Sequence, residues 1–106
     1  MSIRIELLKR YLLEDPSDSF LRYALALEFI ALENHLDAYT ELSKLLIDDP
    51  DYLAAYYMAG KSAEELGKKT EALHLYMKGL EVSKAQKNVH TMNELAAAIE
   101  TLVDDI

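Results

Sequence analysis

Apolar residues return every three or four positions along this chain in six separate runs, the spacing of one buried helix face. Ile5, Leu8, Tyr11 and Leu12 carry the first run and predict a helix over 3–14 that stops against Asp15-Pro16. The second run covers 19–33 behind a Ser17/Asp18 cap, with Phe20, Tyr23, Ala24, Leu27 and Ala31. Asn34-His35 is the expected turn, because Asn tolerates the left-handed conformation that ends a helix. A third helix is predicted over 37–48, carrying Ala38, Leu42, Leu45 and Leu46. The fourth is predicted over 53–66, with Gly67 just past its end, and the fifth over 70–86. The last, over 89–103, confines Val89, Met92, Leu95, Ala96, Ile99, Leu102 and Val103 to one side, which suits a helix closing a stack.

The pattern repeats at long range. The two prolines, Pro16 and Pro50, stand 34 residues apart, and each follows an acidic pair and opens a new apolar run. A fixed period of this length marks stacked helix pairs that bury a shared core only together. With three glycines among 106 residues, an all-α chain of short connections is expected.

These residues resemble the tetratricopeptide repeat family, in its small bacterial type, whose 34-residue unit is a pair of helices, A and B. Residues 19–52 form one such unit and 53–86 the next. Residues 3–14 make a half-repeat helix and 89–103 a capping helix. Leu25, Ala26, Phe29, Ala38 and Leu42 match the family's packing positions in the first unit, as do Tyr56, Gly60, Ala72, Tyr76 and Gly79 in the second. Small residues belong where helices A and B approach closest, since a longer side chain there would push them apart. Departures are Arg22 where a large apolar residue is usual, Leu45 at a small-residue position, Ala59 and Ala63 at bulky ones, and Lys84 in place of a proline. Tyr11, Tyr56 and Tyr76 fall on packing positions. The resemblance implies a right-handed α–α superhelix of about six helices with a C-terminal capping helix.

Charge narrows the partners. Eleven basic against 19 acidic residues give a net −8, which argues against nucleic acid and anionic membrane surfaces. No cysteine is present, so no disulfide or thiolate chemistry is expected. The N-terminus is charged too early for a secretory signal and no apolar run spans a membrane, so a cytoplasmic protein is expected.

Catalytic constellations are missing. His35, His74 and His90 stand on separate segments, none at a metal-binding spacing. Asp48, Asp49 and Asp51 lack the glycine and terminal glutamate of a calcium loop and read as helix capping at the corner. Gly60, Gly67 and Gly79 are isolated, which leaves no phosphate loop. No enzyme, cofactor or metal is expected.

Recognition at a surface remains. In the family, helix A of each unit lines a concave groove, which implies Phe20, Tyr23, Leu27, Ile30 and Ala31 from the first unit. The second contributes Ala54, Tyr57, Lys61, Glu64 and Glu65, and the final helix Thr91, Leu95 and Ala98. Tyr23 and Tyr57, at equivalent positions, are expected side by side. Apolar residues fill 11 of the 15 positions from 19 to 33, more than two neighbouring helices can cover. The stripe Phe20, Tyr23, Leu27 and Ile30 is therefore either overlain by the first or last helix or is a binding face. The carboxylate clamp used by chaperone-binding members is absent, because Tyr23, Leu27, Met58, Asn88 and Met92 occupy its positions. Two uses fit: an adaptor docking an apolar or aromatic peptide or helix, with Glu64 and Glu65 meeting a basic flank, or a homodimer burying the same stripe.

Overall fold

The computed structural model describes residues 2–105, which contain six helices and no strand: α1 (Ile3–Glu14), α2 (Ser19–Ala31), α3 (His35–Asp48), α4 (Leu53–Glu65), α5 (Lys69–Ala85) and α6 (Val89–Asp105). Local chemistry sets most of their starts. The side chains of Ser2, Asp18, Asn34 and Asn88 each accept a backbone N–H three residues on, at 3.0–3.3 Å. The Asp48–Asp51 corner departs from expectation, because Tyr52 takes the cap position of α4 and makes no capping bond.

Three helix ends share one device. After α2, α4 and α5, residues Glu33, Gly67 and Lys87 take positive φ values of 59, 75 and 58°. The next amide then reaches back to Phe29, Ala63 and Ser83 carbonyls at 2.8–2.9 Å. The left-handed residue after α2 is thus Glu33, while Asn34 caps α3, so that turn lies one residue earlier than its sequence suggests.

Each helix packs chiefly on the next, and the core runs as a series of small clusters. Ile5, Leu8 and Leu12 of α1 meet Leu25 and Phe29 of α2 and Ala38 of α3. Ala26, Leu42, Leu45, Ala55 and Ala59 join α2, α3 and α4. Tyr76, Leu95 and Leu102 close the end formed by α4, α5 and α6. Small residues set the closest crossings. A Cβ on Gly60 would overlap the Tyr76 ring, and one on Gly79 would stand 2.6 Å from the Tyr56 Cβ. Leu45, at a small-residue position, is fully enclosed instead. Its space comes from Ala26, Ala55 and Ala59 around it.

Tyr11 departs from its expected packing role. It is 48% exposed, because no described element lies on the outer side of α1.

Candidate binding groove

The apolar stripe of α2 is open. Phe20 is 68% exposed and Leu27 37%, whereas Leu25, Ala26 and Phe29 on the other sides of the same helix are buried. α1 rests on Leu25 and Phe29, and α6 packs through Leu95, Ala98 and Leu102 on α4 and α5, so neither lies across Phe20 or Leu27. Ile30 is half-buried between two core clusters and contributes an edge rather than a face. Ala31 is exposed.

Tyr23 is half-buried and set by a partner the sequence did not offer. Its ring lies 5.3 Å from that of Tyr52, tilted at 46°. The pair anchors the α2 stripe to the start of α4, and burial pushes both phenol groups above their ordinary pKa, each helped by a neighbouring negative or ionisable group. Beyond Tyr52 the surface continues as a concavity of about 400 Å³ lined by Ala54, Asn88 and Thr91. Tyr57 does not stand against Tyr23. Its ring turns inward to Tyr76, 6.2 Å away.

The α4 half of the groove is charged and internally tied. Lys61 Nζ lies 5.4 Å from the Tyr57 ring centre and 3.9 Å from Glu64 Oε2. The same Glu64 oxygen accepts a hydrogen bond from the Tyr76 hydroxyl, whose pKa is raised strongly by burial and by that bond. Glu64 is thus tied to Tyr76 and half-buried, and Glu65 is the exposed acidic residue of the two. Leu95 and Ala98, expected in the groove, are core residues: the stripe of α6 that carries them turns toward α5. Thr91 alone of that trio reaches the surface beside Tyr52.

Two further clefts lie between α1 and α3 and between α3 and α5. The first, about 480 Å³, is lined by Leu12, Leu13, Pro16, Arg22, Glu41 and Lys44. The second, about 420 Å³, is lined by Leu46, Ile47, Pro50, Tyr56, Leu75 and Lys78, each 34 residues on from its counterpart. Among the described residues no His/Asp/Glu group is arranged to hold a metal ion, and no helix is long and apolar enough to cross a membrane.

No protein-family model matches the chain, and no curated protein is recognisably similar to it. Solved structures are. A tetratricopeptide repeat domain protein from Salinibacter ruber is 35% identical, with 83% of this chain and 89% of that one covered and a TM-score of 0.77. A protein from Bordetella parapertussis is 23% identical over 99% of this chain and 91% of its own, with a TM-score of 0.83. The TPR2B domain of yeast Sti1, solved as a complex with pHsp70, reaches a TM-score of 0.88 at 14% identity, covering 96% of this chain and 82% of that one. The two low-identity matches show the same right-handed superhelix of helix pairs. The Salinibacter relative adds sequence likeness across most of both chains, and the chain belongs to the tetratricopeptide repeat family.

Proposed function

We propose that the chain is a non-catalytic protein-interaction module that docks an apolar or aromatic peptide or helix along the open face of α2. The observation that carries this reading is the exposure of Phe20 and Leu27 on one helix face, beside a Tyr23 held in place by Tyr52. A rigid aromatic flanked by accessible apolar side chains supplies contact area at small entropic cost, the character of an interaction hot spot. Lys61, seated over the inward-turned Tyr57 ring, borders the face on the α4 side, and Glu65 meets a basic residue flanking the bound segment. Glu64 contributes by holding Lys61 rather than by touching the ligand. The complex of the Sti1 domain with pHsp70 supports peptide binding as a use of this fold.

Selection of a displayed peptide library on the immobilised chain tests the proposal. Enriched peptides should carry aromatic or apolar anchors and should lose binding to Leu27→Glu and Tyr23→Ala. Peptides that bind Leu27→Glu as well as wild type would overturn it. Light scattering provides the second arm: a dimer that Leu27→Glu dissociates would give the stripe to a second copy instead.

A further inference from the structure

The two units carry a tyrosine pair at equivalent points and complete it differently. In the first, Tyr23 of α2 meets Tyr52 at 5.3 Å, tilted at 46°. In the second, Tyr57 of α4, 34 residues after Tyr23, meets Tyr76 at 6.2 Å, tilted at 40°. Tyr57 receives a cation from the chain itself: Lys61 Nζ lies 5.4 Å from its ring centre and 3.9 Å from Glu64 Oε2. The residue that corresponds to Lys61 in the first unit is Leu27. Tyr23 therefore has its aromatic partner without the cation.

The carboxylates of the motif are present in the first unit all the same. Burial raises the Tyr52 phenol pKa, and the nearby Asp49 and Asp18 carboxylates raise it further. Residues 11–60 hold ten acidic side chains against two basic ones, Arg22 and Lys44. Both of these reach Glu41 and line the cleft between α1 and α3. Among the described residues, no lysine, arginine or histidine forms an ion pair with Asp18 or Asp49.

Tyr52 itself stands where Asp18 stands one unit earlier. Asp18 caps α2 by accepting the Leu21 amide, whereas Tyr52 makes no capping bond, at a cost to the start of α4. What the tyrosine adds is an aromatic wall beside Tyr23, and both rings are half-buried, so each keeps accessible surface. Arginine matches these neighbours. Its planar guanidinium stacks on an aromatic ring while its N–H groups reach carboxylates at the edge, which the compact ammonium of lysine does less well.

We infer that the Tyr23–Tyr52 end of the groove takes an arginine side chain of the bound segment, stacked on the tyrosines beside Asp18 and Asp49. The ligand's apolar anchors then lie along Phe20 and Leu27. This rests on the α2 face being the docking site, and it gives the ligand a register, with one basic residue at Tyr52 and another at Glu65.

The probe is an acetylated peptide with phenylalanine and leucine anchors, an arginine at each end and a C-terminal fluorescein, read by anisotropy. Citrulline, which keeps the shape of arginine without its charge, replaces each arginine in turn. On wild type each replacement should weaken binding about five- to tenfold. In the double variant Asp18→Asn with Asp49→Asn, one of the two penalties should disappear and the other remain. Tyr52→Leu should shrink that same penalty, and Glu65→Gln the other. Asparagine still caps α2, so helix content by circular dichroism should be unchanged in the double variant. If no citrulline penalty disappears there, whether because none exists or because each belongs to Glu65, the inference is overturned. Loss of binding in Leu27→Glu would in that case leave the α2 face standing as the docking site. Binding of the parent peptide that Leu27→Glu does not weaken, or no saturable binding to wild type, would overturn the inference and the α2 reading together.

Discussion

Arg22 and Tyr56, one repeat apart, do the same structural work with opposite chemistry: each reaches back six residues to a proline carbonyl. Arg22 Nη2 donates to the Pro16 oxygen at 3.1 Å and the Tyr56 hydroxyl to that of Pro50 at 2.6 Å. Both tie the start of an A helix to the corner before it. They differ in what stands opposite. Arg22 Nη1 meets Glu41 Oε1 at 2.7 Å, with both side chains about one-sixth exposed, whereas Tyr56 faces Leu75.

That equivalence predicts the outcome of exchanging the pairs. Arg22→Ala leaves the largely buried Glu41 carboxylate with only the longer contact to Lys44 Nζ at 3.7 Å, and should cost about 1–2 kcal/mol. Arg22→Tyr with Glu41→Leu copies the second repeat into the first and should be neutral or stabilising, by up to about 2 kcal/mol. Urea unfolding of the single and double variants measures both. A double variant as unstable as Arg22→Ala would show that the two clefts are not interchangeable.

The crossing of α4 and α5 rests on the absence of one carbon. With Tyr76 fully buried, its ring has nowhere to retreat from a Cβ on Gly60. Gly60→Ala should destabilise by about 2–3 kcal/mol despite the better helix propensity of alanine. Tyr76→Leu in the same chain should recover part of that loss, so the two substitutions are strongly non-additive. Thermal melts of the four species complete the cycle.

Helix ends offer stabilisation without touching the core. Glu33 and Lys87 hold the left-handed conformation that Gly67 adopts freely at the equivalent place after α4. Glu33→Gly and Lys87→Gly should each stabilise by about 1 kcal/mol, and Gly67→Ala should destabilise by a similar amount although its Cβ would meet nothing.

Ser62 is a buried hydroxyl without a partner, enclosed in α4 beside Ala59 and Ala63. Ser62→Ala removes an unsatisfied polar group while leaving the packing unchanged, and should raise the stability by about 1 kcal/mol. An unchanged or lowered denaturation midpoint would mean that the hydroxyl is satisfied in solution.

The helices themselves were legible because a 3.6-residue period and a 34-residue repeat are properties of the chain alone. The excess of apolar residues on α2 was legible too, but it left open whether the first or last helix lies across Phe20 and Leu27. The rotation of a helix about its axis is a different matter, because it depends on what packs there. Leu95 and Ala98 turned inward because α5 offers them Tyr76 and its surroundings. Tyr52, at a corner between helices, carries no periodic signal for its contact with Tyr23. Glu64 had the pattern of a free groove acid, but its bond to Tyr76 comes from the neighbouring helix. Tyr11 matched a packing position, yet a packing position needs a helix opposite.

Tyrosine burial gives the fold a one-sided pH dependence. Tyr23, Tyr52, Tyr56 and Tyr76 all have raised pKa values, with desolvation the largest cause in each. A raised acid holds its proton in the folded chain after the unfolded chain has released it. Below about pH 10, the ordinary tyrosine value, both states are protonated and these groups add no slope. Above it the unfolded state binds fewer protons than the folded one, so unfolding becomes progressively easier as pH rises. Denaturant midpoints should therefore begin to fall near pH 10. The sharpest single contribution belongs to Tyr76, whose hydroxyl is enclosed against the Glu64 carboxylate, so that ionising it would set two negative charges together. Tyr76→Phe should lower stability at neutral pH by about 1 kcal/mol through the lost hydrogen bond. It should also shallow the alkaline decline by up to one proton, so that the midpoints of variant and wild type converge as pH rises. Parallel curves would mean that Tyr76 ionises as easily in the folded chain as in the unfolded one.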